Sequence, residues 1–169
     1  MINMKVSYLV FVFLLAIHSL QAQPGKYAGT KKSFIGKEFT DAREIPALST
    51  WTFVEGNLLT PVNNPEQIIA DVFKKGSTYI ILFSVKEDTA SANFIITDVL
   101  EVKEVLKGWT IKTGLCRQNE IENSWLAAHI KQTATEFSTT VKKAWRFNPD
   151  KRRIELIQVK GIDCINAVS

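Results

Sequence analysis

The 169-residue chain is short of the residues that usually advertise a chemistry. It has two histidines and two cysteines, and Cys116 and Cys164 stand 48 positions apart, so no compact set of metal ligands can be read from spacing. There is no glycine-rich phosphate loop, no nucleophile elbow and no metal-binding helix motif. No Asn-x-Ser/Thr acceptor occurs, which leaves no site for an N-linked glycan. The charge is nearly balanced, with 21 basic and 17 acidic residues. A net +4 is too weak to argue for nucleic acid, whose binding needs a strong cationic face. No internal repeat, low-complexity tract or second-domain linker is visible.

What the chain does contain begins with an export pattern. Lys5 precedes an apolar run from Val6 to Ile17, and Leu20-Gln21-Ala22 ends it on a small residue. The run is about a dozen residues, short of the roughly 20 a spanning helix needs, and fits the hydrophobic part of a secretory signal. Cleavage is expected after Ala22, leaving 20 basic against 17 acidic residues, a net +3. The expected organisation is a signal peptide over 1–22, a flexible leader over 23–32 and a single globular domain over 33–169. The mature chain would then be periplasmic or extracellular, with no integral membrane span.

An exported chain with two cysteines is expected to pair them, because the compartment is oxidising. A bridge between Cys116 and Cys164 closes a loop that the chain-entropy model values at roughly 4 kcal/mol. The competing reading, a Cys116/His129 nucleophile and base, needs a thiolate beside the imidazole. In a strand through "WLAAHIKQ", His129 falls on the face of Trp125 and Ala127, expected to be the less buried one, so the disulfide is preferred.

"NNPEQIIADVFKKG" predicts a helix. Asn64 can cap it, Pro65 suits its first position, and Gln67 sits where a capping partner belongs. Ile68, Ile69, Val72 and Phe73 make an apolar stripe, and Gly76 is placed to end the helix. The rest reads as strands: "STYIILFSV", "ANFIITDVLEV", "GWTIKTGLCR", "SWLAAHIKQ", "TTVKKAWRF" and "RRIELIQVKG", with "NPDKR" as a hairpin turn. "STWTFV" reads as an earlier strand broken by a turn at Glu55-Gly56-Asn57. Trp51, Trp109 and Trp145 are expected in the core. Val141, Trp145 and Phe147 should share an inward face. The expected fold class is α+β: one principal helix packed on a curved antiparallel sheet of about five or six strands, as in cystatin-like or cone-shaped NTF2-like architectures. A small closed β-barrel is the alternative.

Function follows less directly. Asp98, Glu101 and Glu104, and separately Glu120 and Glu122, offer carboxylates that could serve a hydrolase if two converged. Lys142, Lys143, Arg146, Lys151, Arg152 and Arg153 form a basic hairpin, which suits an anionic envelope component or a solvated edge that repels other edges. Trp125, beside the polar "NEIENS" segment and on the His129 face, is the best candidate for an exposed aromatic contact. The leading expectation is a small exported, non-catalytic binding or protein-interaction module without a cofactor. Its partner would be a protein or a small apolar ligand. The alternatives are a carrier of a hydrophobic ligand and a carboxylate-dependent hydrolase.

Overall fold

The computed structural model describes residues 33–88 and 90–166. The expected signal peptide and leader, 1–32, lie outside the described residues. Thirteen strands dominate: β1 (Glu38–Phe39), β2 (Thr52–Leu58), β3 (Gln67–Lys75), β4 (Thr78–Lys86), β5 (Phe94–Val102), β6 (Trp109–Thr113), β7 (Cys116–Gln118), β8 (Ile121–Asn123), β9 (Leu126–Lys131), β10 (Phe137–Ser138), β11 (Val141–Asn148), β12 (Arg153–Ile157) and β13 (Ile162–Ile165). They form a five-stranded sheet ordered β1-β5-β4-β3-β2, a four-stranded sheet β12-β11-β9-β6 and a smaller four-stranded sheet β10-β13-β7-β8. All pairings are antiparallel.

The expected α+β class is therefore wrong. Beyond a helical turn at Ser33 and Phe34, helical geometry among the described residues is confined to the 3-10 turns Ala42–Glu44 and Pro46–Leu48. The segment read as the principal helix is β3, paired with β4 from Gln67↔Lys86 to Lys75↔Thr78. Its apolar residues satisfy a helical stripe because the strand is covered on both faces. Ile68, Ala70 and Val72 enter one core cluster, while Phe73 and Ile69 belong to another. The cap residue also has a second use: Asn64 Oδ1 accepts from the Glu66 backbone N–H at 3.0 Å, closing a turn that leads into a strand. Gly76 at φ +60° begins the two-residue loop of the β3–β4 hairpin, where a left-handed residue matches the twist of the strands. Among the described residues no single closed barrel forms either, because each sheet ends in two separate edge strands.

Four layers stack. Residues 34–48 cover one face of the five-stranded sheet, with Phe34, Ile45 and Leu48 against Phe73, Ile80 and Leu82. The other face packs on the β12-β11-β9-β6 sheet through Val72, Ile81, Phe83, Ile111, Trp145 and Phe147. Phe83 and Phe147 meet across that interface, ring centres 5.3 Å apart. The far side of the second sheet packs Leu126, Ala128, Ile130 and Ala144 on Cys116, Ile162 and Cys164 of the small sheet. Double coverage explains the near-continuous apolar runs of β4 and β9, since each fully buried aliphatic or phenyl side chain adds about 1.5–3 kcal/mol.

Both flanks of the middle sheet are sealed by carboxylates from the five-stranded sheet. At the β6 edge, Glu55 Oε1 accepts from the Thr113 N–H at 2.8 Å and its hydroxyl at 3.0 Å, while Oε2 pairs with Lys112 Nζ at 3.1 Å. At the β12 edge, Asp98 Oδ2 accepts from the Ile154 N–H at 2.8 Å. Strand edges carry unpaired donors, and these two contacts satisfy one on each side while tying two layers together. Gly114 (φ +68°) divides the expected long strand into β6 and β7; a Cβ there would lie 2.9 Å from Asn57 Cβ, so the chain turns where the Asn57 side chain leaves no room for another. The turn expected at 55–57 is absent, as β2 continues through Gly56 with a bulge between Phe53 and Glu55.

Candidate functional site

Cys116 and Cys164 are joined by a disulfide, and they face each other directly in the β7–β13 register. The bond lies under the small sheet, with the two cysteines 2% and 0% exposed. A Cys116/His129 dyad is thereby excluded. His129 itself departs from expectation: it is only 3% exposed, because β9 sits between two covered faces. Its ring meets Trp109 edge-on at 5.1 Å, and Nε2 has no hydrogen-bond partner. Burial holds the imidazole pKa below its ordinary value, and the charges of Lys142 and Lys143 lower it further.

Of the carboxylates read as possible catalysts, Asp98 and Glu101 lie on β5, Glu104 follows it, Glu120 lies between β7 and β8, and Glu122 lies on β8. Asp98 is buried and accepts from the Val99 and Ile154 backbone N–H groups. Glu101 lies 3.6 Å from Lys103, and Glu122 is opposite Arg117 on the small sheet. A buried acid that the sequence reading passed over is Asp71 on β3. It is 7% exposed, Oδ2 lacks a hydrogen-bond partner, and Oδ1 would lie 2.6 Å from any Cβ at Gly56. Burial pushes its pKa up to about 6, with the Asp41 charge adding to the rise and Arg43 opposing it. Among the described residues, no group of three or more His, Cys, Asp or Glu side chains could hold a metal ion.

The basic hairpin is more neutral than its composition suggests. Arg152, at φ +51°, reaches Glu87 at 2.5 Å and Glu66 at 3.4 Å, and Lys151 pairs with Glu155 at 3.0 Å. Lys142, Lys143 and Arg153 are exposed. A bulge between Val141 and Lys143 reverses the face of Val141, which packs toward the small sheet while Trp145 and Phe147 face the five-stranded one.

Two of the sequence candidates do come together. Trp125 packs its ring against the main core and, with Arg146, lines a hollow of about 320 Å³ beside Asn123 and Asn148. Asn123 also borders a second hollow of about 320 Å³ over the disulfide, lined by Leu115, Arg117, Glu122, Phe137 and Ile165. Arg146 borders a third, of about 530 Å³, with Gln118, Asn119, Ile157 and Lys160. Asn123 is common to the first and second hollows and Arg146 to the first and third, so the three adjoin in series. Over the disulfide, Arg117 donates to Asp163 at 2.7 and 3.1 Å, and its guanidinium carbon stands 3.4 Å from the centre of the Phe137 ring. Strand alternation places Leu115, Arg117 and Ile165 around this hollow, with Asp163 held against Arg117, but only the pairing of β13 with β7 on one side and β10 on the other brings them to one face.

No protein-family model, no curated protein and no solved structure matches the chain. Sequence reasoning missed Leu115, Phe137, Asp163 and Ile165 because none belongs to a local motif. The one available signal was the alternation about each cysteine, which leaves an outward residue on either side of an inward bridge.

Proposed function

We propose that the protein is a small exported, non-catalytic interaction module whose binding surface is the run of adjoining hollows from the disulfide-bonded sheet to the β11–β12 hairpin. The single observation that carries this reading is the sharing of walls, with Asn123 common to two hollows and Arg146 to two. Such a surface offers half-buried apolar contacts at Trp125 and Phe137 with polar groups at its margins, the composition that extended partners use. The buried disulfide is compatible with export, and it braces the sheet that forms one end of the surface. Trp125 and Arg146 are the central contacts. Arg153, Lys142 and Lys143 are exposed and line none of the three hollows, so any attraction toward an anionic component is separate from them, while His129 serves as packing. The interior layers are filled by large side chains such as Phe73, Phe83 and Phe147, so a carrier of an apolar ligand finds less support than a surface binder.

The test is site-directed photo-cross-linking in the protein's own cells. A photoreactive residue is placed in turn at Asn123, at Arg146 and, as a control on the opposite layer, at Ile35. Discrete protein adducts at the first two positions and none at the third support the reading. Equal labelling at all three, or a small-molecule adduct retained in native mass spectrometry without any protein adduct, refutes it.

A further inference from the structure

We propose that the hollow over the disulfide docks a cationic peptide segment bearing an apolar side chain; this rests on the interaction-module reading and names the partner's chemistry at one end of that surface. Leu115, Phe137 and Ile165 supply its apolar lining, and Leu115 is 40% exposed. The space, about 320 Å³, accommodates one large side chain.

The surrounding charge selects the flanks of that side chain. Arg117 is the one cation among the hollow's lining residues, and Asp163 binds it through two hydrogen bonds, so it presents little free positive charge to a ligand. Glu122 stands directly opposite Arg117 in the β7–β8 register. Glu120 and Glu136 lie close enough to strengthen the hold of Arg117 on its proton, after the larger effect of Asp163 itself. None of Glu120, Glu122 and Glu136 enters an ion pair among the described residues. Asp163 balances Arg117, the one cation of the lining, which leaves Glu122 as the unbalanced lining charge with Glu120 and Glu136 close by, on a chain whose net charge is +4. That reversal of sign argues for a partner carrying Lys or Arg beside its apolar residue. An anionic segment would meet like charge, and complementary charge governs both encounter rate and choice of partner.

The experiment uses the full mature chain and three fluorescein-labelled peptides, with binding read by fluorescence anisotropy at low and high salt. Their sequences are acetyl-Lys-Leu-Lys-Lys, acetyl-Lys-Ser-Lys-Lys and acetyl-Glu-Leu-Glu-Glu. The first should bind; the serine peptide should bind at least about tenfold more weakly and the acidic one not measurably. Affinity for the first should fall about tenfold in the Glu122→Gln, Glu136→Gln double variant and fall again in about 0.5 M salt. Both substitutions are at the surface, so an unchanged thermal midpoint is the check that the variant is folded. Amide shifts at Leu115 and Ile165 locate the bound peptide. Equal binding of the acidic peptide, or an affinity indifferent to the double variant, overturns the proposed partner chemistry. If those shifts still report binding, the hollow remains a binding surface and only the sign of its partner is wrong. Absence of binding by all three peptides overturns this docking proposal alone, while cross-linking at Asn123 and Arg146 decides the broader reading.

Discussion

Replacing Asp71 with asparagine should stabilise the protein above pH 6 and do little below pH 4. The native carboxyl is buried, one of its oxygens lacks a partner, and its pKa rises from 3.8 to about 6. Burial is the largest cause, Asp41 adds to it and Arg43 opposes it. A folded state that holds its proton more tightly than the unfolded chain gains stability at low pH. That gain is complete below the unfolded value of 3.8 and is lost as pH rises through about 6. A shift of about two units corresponds to about 3 kcal/mol of stability lost across that window. The substituted amide does not ionise, so the Asp71→Asn variant should match the wild type near pH 3 and exceed it by about 3 kcal/mol at pH 8. Urea denaturation at a series of pH values measures this, and the difference between the two proteins cancels other titrating groups. Parallel stability profiles from pH 3 to 8 would refute the reasoning, since they would mean that Asp71 ionises as freely folded as unfolded.

Cys116→Ala and Cys164→Ala should each lower stability by about 4 kcal/mol, because either breaks the same 48-residue loop; unequal losses in denaturation would count against that account. Glu55→Ala leaves the Thr113 N–H and hydroxyl and Lys112 without their acceptor, and should cost about 3 kcal/mol in a thermal or urea melt. Asp98→Ala removes the acceptor for the Ile154 and Val99 N–H groups and should cost about 2 kcal/mol, with faster amide exchange at Ile154 as its local signature. The His129 imidazole should titrate below its ordinary value of 6.5 in nuclear magnetic resonance titration. Its depressed pKa contributes stability present above the unfolded value of 6.5 and lost as pH falls through the lower folded value.

Several elements were legible in local pattern. The apolar runs of β4, β5, β9, β11 and β12 coincide with expected strands, and the Asn148-to-Arg153 turn joins the last two. The disulfide followed from an export pattern together with a cysteine pair. The β3 segment misled because 68, 69, 72 and 73 are apolar in both a helical stripe and a strand covered on two sides, while Asn64 and Gly76 serve either structure. Length did not arbitrate, as nine residues suit both elements. His129 misled for a related reason: alternation separates two faces but does not say that both will be covered.

By itself, then, the sequence determined that antiparallel strands follow Gly76 and that Cys116 and Cys164 would be partners. Both depend on short-range chemistry, namely residue alternation, turn residues and thiol reactivity. Tertiary structure alone decided that β3 is a strand, that Glu55 and Asp98 seal opposite flanks of one sheet, and that Trp125, Arg146, Asn123 and Phe137 line neighbouring hollows. Those outcomes depend on which faces meet across layers, and that is set by the packing of residues distant in the chain, such as Phe83 on Phe147 and Glu55 on Thr113.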